Sequence, residues 1–263
     1  MTKNSLVYKS NELINARYSA MSLNEQLLVL SAIASVDPRT LTGVEPVEIS
    51  VSSFADLADK NHSEIYGDIK KAAKRLLRRV VRVENPEQGV KAVETTWISA
   101  IEYLDGEAAI KMYFAPKILP YLSQLSGNFT KYKLEHVAHF KSKYGIRMYE
   151  LLMQWQCVGE REITIEEFRD KFELGEKYKA IKDLKLKVLQ PALDDINKHS
   201  NMNVKVGQRK RGKRVAAFQF DFKLKAETRK TRAKHSKSDI EKAARPGETY
   251  AEVEARLIRD HKK

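Results

Sequence analysis

The stretch Glu-Ile-Ser-Val-Ser-Ser-Phe-Ala-Asp at residues 48–56 has a second version, Glu-Ile-Thr-Ile-Glu-Glu-Phe-Arg-Asp, at residues 162–170. The two copies start 114 positions apart. In each copy β-branched residues alternate, which is typical of a short strand, and a Ser or Thr then stands three positions before an acid, which is typical of a helix start. Both copies therefore predict a strand followed by a short helix, with the capping pairs Ser53–Asp56 and Thr164–Glu167.

The surroundings of the two copies repeat as well. An amphipathic helix precedes each copy, beginning at the capping pair Ser22–Glu25 in the first half and covering 144–155 in the second. A longer helix and then two alternating strands follow each copy: 63–81, 97–103 and 108–114 in the first half, and 178–199, 204–208 and 215–222 in the second. Helix, strand, helix, helix, strand, strand is the order of a winged helix. We therefore expect an α+β chain of two tandem winged-helix domains related by internal pseudo-symmetry, plus a basic C-terminal tail.

Positive charge is concentrated on the first of the two longer helices. The chain has 48 Lys and Arg against 35 Asp and Glu, a net charge of +13, which favours a polyanionic partner. At 100° per residue the helix has an apolar side of Ile65, Ile69, Ala72, Ala73, Leu76 and Val80. Its other side carries Lys70, Lys71, Lys74, Arg75, Arg78 and Arg79. A merely solvated helix face would also carry acids, and none occurs from Ile69 to Val83, so this side is predicted to contact DNA.

The second longer helix and its following hairpin are also basic. Tyr178, Ile181, Leu184 and Val188 form the apolar side of the helix, and Lys177, Lys179, Lys182, Lys185 and Lys187 surround it. We expect its first turns to reach base edges, Pro191 to kink it, and Asp194 with Asp195 to weaken phosphate contact further along. The hairpin carries Arg209, Lys210, Arg211, Lys213 and Arg214 around Gly212, which suits phosphate or minor-groove binding. The first hairpin carries Glu102, Asp105 and Glu107 near its tip, so we expect no DNA contact there.

Several blocks of the chain resemble the iteron-binding plasmid initiators of theta replication, the RepA/RepE/Pi group. The resemblance covers most of residues 5–222 and rests on blocks at 11–13, 18–26, 129–134, 144–152 and 168–218. It implies a monomer that binds directly repeated origin sequences (iterons) and a dimer that binds an inverted repeat and represses its own gene. Lys179 and Lys185 fall where relatives place base-reading side chains, while Leu186 interrupts an arginine run found in some of them.

The resemblance also implies partners and a division of the chain. Partners would be double-stranded origin DNA, a second copy of the chain, the host chromosomal initiator, the replicative helicase and chaperones. We expect an N-terminal winged helix at 1–126 for dimerisation and secondary DNA contact, and a C-terminal winged helix at 127–223 as the main DNA reader. The remaining part, 224–263, is expected to be a partly flexible basic tail with a short terminal helix at 249–260, because seven bases and one acid lie between Lys223 and Lys237.

Other functions receive less support from the sequence. A winged-helix transcriptional repressor would share the fold and the DNA chemistry. A rolling-circle nicking enzyme needs two histidines one residue apart for its metal and a nucleophilic tyrosine, whereas His136 and His139 are three positions apart. No Gly-rich loop ending in Gly-Lys-Ser/Thr occurs. We therefore expect no catalytic residue, metal or cofactor.

The remaining sequence features concern location. No apolar run is long enough to span a membrane, and the first residues lack the pattern of a secretory signal. One cysteine, Cys157, excludes an intramolecular disulfide and fits a reducing compartment. A cytoplasmic protein without membrane contact is predicted, with Cys157 buried on an apolar helix.

Overall fold

The two nine-residue copies form the same strand-to-helix connection in the computed structural model, which describes residues 5–18, 20–59, 62–104, 108–123, 125 and 127–226. Strand β3 (Val47–Ser50) leads into helix α3 (Val51–Ala58), and β9 (Glu160–Thr164) leads into α7 (Ile165–Lys171). The Thr164 hydroxyl accepts a hydrogen bond from the Glu167 backbone N at 3.1 Å, as predicted. The predicted cap Ser53 is wrong, because Ser50 caps α3 by accepting from the Ser53 backbone N at 3.1 Å. Ser50 is the residue that aligns with Thr164 in the repeat.

The replacement Ser50→Ala is expected to lower the free energy of unfolding by about 1 kcal/mol, because the Ser53 backbone N–H loses its acceptor. Chemical denaturation measures this loss. Ser50→Thr keeps a hydroxyl that can accept from the same N–H, so it is the matched control and should change stability by less than about 0.5 kcal/mol. Equal losses from both variants would contradict the assignment of the cap.

Each copy belongs to a three-stranded antiparallel sheet of the same order. The first sheet has the order β3–β7–β6, with β6 at Ile98–Tyr103 and β7 at Ala109–Phe114. The second has the order β9–β11–β10, with β10 at Met202–Arg211 and β11 at Arg214–Leu224. Corresponding cross-strand rows are Ile49–Ile110–Tyr103 and Ile163–Phe218–Gln208. These sheets confirm the two pseudo-symmetric winged helices.

Helices cover one face of each sheet. In the first half these are α2 (Leu23–Ala34) and α4 (His62–Leu76). We call α4 the first basic helix. Helix α2 begins at the predicted capping box, in which the Ser22 hydroxyl and the Glu25 carboxylate each accept from the other residue's backbone N. In the second half α6 (Gly145–Met153) is buried along its whole length.

The last helical run, residues 181–199, is the second basic helix. It consists of α8 (Ile181–Leu184), a π-helical turn (Lys185–Leu189) and α9 (Gln190–His199). The predicted start at Tyr178 is wrong, since Tyr178 has a left-handed φ of 53° and Ala180 is the residue before the first turn. Pro191 has no N–H to donate, and the π-helical turn, closed by the Gln190 N–H and the Lys185 carbonyl, lies immediately before it.

A hairpin that we did not predict follows the first basic helix. The helix ends at Leu76, not at Val81, and β4 (Val80–Glu87) pairs with β5 (Val90–Thr96) and with the short β2 (Arg17–Tyr18). Val80, predicted on the apolar helix side, is 41% exposed, whereas Val81 and Val83 are buried. This alternation of exposed and buried side chains has the period of a strand. Strands β2, β4 and β5 thus add a further small sheet to the first winged helix.

The two winged helices share one hydrophobic core and a junction of further elements. Strand β1 (Leu6–Ser10) pairs with β8 (Phe129–Lys133), and α1 (Asn11–Asn15), a 3₁₀ turn (Leu119–Tyr121) and α5 (Glu135–Ala138) complete the junction. At its centre the buried Glu150 carboxylate accepts from the Lys9 ammonium at 2.7 Å and from the Tyr132 hydroxyl at 2.6 Å. The two halves are therefore joined by buried polar contacts as well as by apolar packing.

Cys157 and the C-terminal tail follow helix α6 and strand β11, respectively. Cys157 is exposed, so the prediction of a buried thiol is wrong; α6 ends at Met153 and Cys157 lies in the following turn. The predicted basic arm and the helix at 249–260 lie outside the described residues beyond Ala226. In the part of the chain that is described, no helix has both the length and the apolar character needed to cross a bilayer.

Candidate DNA-binding surfaces

The first basic helix separates its apolar and cationic sides as predicted. The five apolar residues within the helix are at most 2% exposed: Ile65, Ile69, Ala72, Ala73 and Leu76. Lys71, Lys74 and Arg75 are exposed on the helix, and Arg78 is exposed just beyond its end. Burial of one side fixes the helix against its sheet, and the other side presents cations to solvent.

Two further cations of this surface have protein partners. The Lys70 ammonium lies 4.4 Å from the ring centroid of Tyr66 and 5.0 Å from that of Tyr103 on β6, a cation–π arrangement. The Arg79 guanidinium donates to the carboxylate of the fully buried Glu25 at 3.0–3.1 Å. Arg79 therefore anchors the chain after the helix to α2, and its inclusion on the exposed cationic face was wrong.

The second basic helix also buries its apolar side, with Leu184 and Val188 inaccessible to solvent. Lys182 and Lys187 are exposed. Lys185 is half-buried, and its ammonium donates to the side-chain oxygen of Gln208 on β10 at 2.8 Å. Lys185 thus points along the base of the wing rather than freely into solvent.

Lys177 and Lys179 lie in the turn before this helix instead of on it. Both are exposed, and Lys179 forms an ion pair with the equally exposed Glu176. The Arg169 guanidinium holds the turn by donating to the carbonyls of Gly175, Lys177 and Tyr178. The turn is therefore fixed next to the N-terminal end of the second basic helix, the end that we expect to approach base edges.

Tyr103 and Gln208 are functional candidates that the sequence reasoning missed. They occupy corresponding rows of the two sheets, and each contacts a lysine of the basic helix in its own half, Lys70 or Lys185. Their positions in the sheets could have identified them. Tyr103 pairs with Ile110, the partner of Ile49 in the first copy of the repeat. Gln208 pairs with Phe218, the partner of Ile163 in the second copy. In both halves, a wing residue sets the position of one helix cation.

The second wing ends in a tight, strongly basic turn. Arg211 pairs with Arg214 across a two-residue turn in which Gly212 has a φ of +62°, a conformation that favours glycine. Lys210, Arg211, Lys213 and Arg214 are exposed, and no carboxylate of the described residues forms an ion pair with them. Arg209 differs, because it donates to the Glu162 carboxylate on β9 at 2.7 Å and thereby lowers the pKa of Glu162. Four unneutralised cations remain at the tip.

The acids expected to weaken phosphate contact take different positions. Asp194 is exposed and accepts from Gln190, whereas Asp195 is buried and accepts from the backbone N atoms of Lys141 and Ser142 at 3.0 and 2.6 Å. Asp195 is therefore part of the junction, not of the exposed helix face. On the first wing Glu102 is exposed and accepts from the Tyr113 hydroxyl, while Asp105 and Glu107 lie outside the described residues.

The two histidines considered for a metal do not form a site with further ligands. His136 Nδ1 lies 3.2 Å from the Tyr149 hydroxyl, and His139 is exposed. Among the described residues, no group of three or more His, Cys, Asp or Glu side chains is arranged to hold a metal ion.

Comparison with known proteins agrees with this architecture. The family described as "Initiator Replication protein, WH1" matches residues 6–153, and "Initiator Rep protein, WH2" matches residues 164–222. A replication initiation protein of Escherichia coli is 32% identical over 227 residues, which cover 82% of this chain and 70% of that protein. An uncharacterized 27.6 kDa protein of Escherichia coli is 26% identical over 215 residues, 78% of this chain and 90% of its own length.

Among solved structures, the Pi initiator protein in complex with iteron DNA shares the fold. Its TM-score is 0.75 at 20% identity, and the match covers 86% of this chain and all of that one. The matched families, the relatives and the two pseudo-symmetric winged helices agree with the resemblance noted from the sequence. The chain belongs to the family of replication initiator proteins built from two winged-helix domains, WH1 and WH2.

Proposed function

We propose that this protein is a plasmid replication initiator that binds directly repeated origin sequences, the iterons, as a monomer. The observation that carries the proposal is the duplicated surface: two winged helices of identical sheet order, each with exposed cations on one side of a helix whose other side is buried. The fold it shares with the Pi initiator, a protein solved on iteron DNA, supports the same use of that surface. Cations of this kind bind phosphate, and helices of this kind enter the major groove.

The second winged helix would be the main DNA reader. Its wing ends in four exposed cations, whereas the described part of the first wing carries Glu102. The DNA-contacting set that we propose is Lys70, Lys71, Lys74, Arg75, Arg78, Lys177, Lys179, Lys182, Lys185, Arg209, Lys210, Arg211, Lys213 and Arg214. Arg209 would be the weakest wing member, since Glu162 already neutralises it.

Footprinting on the DNA of the protein's own replicon tests the proposal. Two domains on one DNA face should protect about two helical turns per repeat, in a regular series. Protection of one isolated palindrome and no direct repeats would instead make the protein a transcriptional repressor.

The replacement Lys185→Ala is expected to change which base is preferred at one position of the repeat. A lysine that donates to a base edge contributes about 1–3 kcal/mol of discrimination. Binding to the cognate repeat should therefore weaken by about that amount, while binding to random DNA changes little. Competition binding with single-base variants of the repeat measures the preference.

Lys187→Ala is the matched control. Lys187 is exposed on the same helix, and its replacement removes the same charge. If Lys185→Ala and Lys187→Ala weakened cognate and random DNA to the same extent, base reading by Lys185 would be wrong.

We also propose that the protein forms dimers, through the N-terminal domain at 1–126, that bind an inverted repeat and repress the initiator's own gene. The main reader would occupy 127–223 and the basic tail 224–263. Host partners would be the chromosomal initiator, the replicative helicase and chaperones that convert dimer to monomer, all within the cytoplasm. Sedimentation with direct-repeat and inverted-repeat DNA distinguishes one copy per iteron from two copies per operator.

The protein would act by binding and not by catalysis. Incubation with supercoiled origin DNA and magnesium should leave the DNA uncut. A covalent adduct between protein and DNA would contradict this and favour a nicking enzyme.

A further inference from the structure

A cleft lies between the two winged helices, on the side of the junction next to the second basic helix. We call it the interdomain cleft; it has a volume of about 60 Å³ and is open to solvent on one side. Tyr18, Ala20, Met21 and Gln26 line it from the first half, and the second half contributes Lys143, Tyr144, Arg147, Lys171, Phe172, Glu173 and Lys177. Four of these side chains are cationic and one is a carboxylate, so the cleft has a net positive charge.

Arg147 is the most deeply placed of the cations, with 6% of its surface exposed. Its guanidinium lies 4.1 Å from the ring centroid of Tyr18, and its Nη2 and Nε donate to the backbone carbonyls of Ala16 and Lys171. Nη1 is buried and has no hydrogen-bond partner among the described residues, nor does any carboxylate there form an ion pair with Arg147. Burial of an unneutralised charge with an unsatisfied donor is costly in free energy, and an anion in the cleft would remove that cost.

Lys171, also in the lining of the cleft, is a second cation whose polar partner is a backbone carbonyl. Its ammonium donates to the backbone carbonyl of Asn15, and no carboxylate of the described residues pairs with it. Burial, and next the charge of Arg147, lower the pKa of Lys171. Lys143 extends the charge toward the opening, with its ammonium 5.0 Å from the ring centroid of Tyr144.

The start of helix α6 lies beside the cleft but already has a carboxylate of the protein next to it. The Gly145 backbone N donates to the Ser142 carbonyl at 3.0 Å, and the Tyr144 backbone N donates to the Ser142 hydroxyl at 3.2 Å. The Asp195 carboxylate lies against Gly145 and accepts from the backbone N atoms of Lys141 and Ser142. The attraction for an external anion therefore comes from the cationic side chains that line the cleft, not from this helix end.

We propose that the interdomain cleft binds a phosphate group, held by Arg147, Lys171 and Lys143 of the second half. A volume of about 60 Å³ is more than a single water needs, so the cleft has room for a small oxyanion. A smaller cavity of about 20 Å³, lined by Trp97 and Arg147, lies behind it and suits a single water. Glu173 is the one carboxylate among the described residues of the lining, and burial raises its pKa.

Two sources can supply this group, free phosphate or a backbone phosphate of bound DNA. The second source rests on the proposed function, because Lys177 of the cleft also belongs to the turn before the second basic helix. In both cases the anion would neutralise Arg147 and Lys171, two cations that join the two halves by donating to the backbone carbonyls of Ala16 and Asn15.

Titration of the DNA-free protein with inorganic phosphate, at constant ionic strength in chloride, tests the first source. Binding should be saturable, raise the thermal unfolding temperature, and weaken by about tenfold or more in Lys171→Met and in Lys143→Met. Lys143 is exposed, so its variant keeps the test valid if Lys171→Met fails to fold. Lys117→Met, at an exposed lysine outside the cleft, is the matched control and should bind phosphate as the unaltered protein does.

DNA binding by the same variants tests the second source. If a backbone phosphate occupies the cleft, Lys143→Met should lower the salt dependence of DNA affinity by about one unit of slope and Lys117→Met should not. The proposal is overturned if phosphate shows no saturable binding at millimolar concentration and the salt slope of Lys143→Met is unchanged. The phosphate titration contains no DNA, so failure of iteron recognition and failure of the cleft are distinguishable.

Discussion

The replacement Glu150→Gln is expected to destabilise the protein by about 3–5 kcal/mol. Glu150 is 1% exposed, and its carboxylate is the acceptor for the ammonium of the equally buried Lys9, which comes from the other half of the chain. An amide in its place leaves a buried ammonium without a counter-charge. Chemical denaturation, with the unfolding free energy extrapolated to water, measures the effect.

Two further variants make this test specific. Glu94→Gln removes a carboxylate from an exposed ion pair with Arg82 and should cost less than about 1 kcal/mol. In the double variant Lys9→Met/Glu150→Gln the uncompensated ammonium is gone, while the Tyr132 hydroxyl keeps an acceptor. The double variant should therefore be more stable than Glu150→Gln alone, and the reverse order would refute the role of the ion pair.

Removal of the wing charges should have the largest effect on DNA binding. With Lys210, Arg211, Lys213 and Arg214 all changed to Ala, the slope of log affinity against log salt is expected to fall by up to about 3.6, because each phosphate contact contributes about 0.9. Affinity for cognate and random DNA should fall together, on the order of a hundred- to a thousandfold at physiological salt. Salt titrations of binding to both DNAs measure the slopes.

A variant of equal net charge controls for the overall charge of the protein. Four exposed lysines outside the proposed DNA-contacting set can be replaced by Ala: Lys91, Lys117, Lys131 and Lys141. This variant should retain most of the affinity and the slope. An equal loss in both quadruple variants would mean that net charge, and not the wing, determines the affinity.

Local repetition in the sequence was enough to predict both winged helices. The repeat at 48–56 and 162–170 fixed the first strand of each sheet, and the alternation before and after Gly212 gave the second wing. The positions of Lys71, Lys74 and Arg75 followed from helical spacing alone, since a helix that buries Ile69 and Ala72 has to expose them.

Features that depend on distant contacts could not be predicted in this way. From Leu76 to Val83 the spacing of the apolar residues fits both a helix and a strand. The strand forms from Val80 because this segment pairs with β5. Ser50 was missed as a cap because Ser53 stands three residues before an acid, Asp56, whereas the residue three positions after Ser50 is a serine. The contacts of Lys185 with Gln208 and of Arg79 with Glu25 join residues far apart in sequence, so no local pattern reports them.

On the ribosome, strand β1 emerges long before the strand that it pairs with. Leu6 is hydrogen-bonded in register with Lys133, so at ordinary elongation rates on the order of ten seconds separates the synthesis of the two. The sheet β3–β7–β6 can form during that interval, because its last strand ends at Phe114. A product that stopped short of Phe129 would leave the backbone of β1 unpaired, with an open edge that favours association between nascent chains.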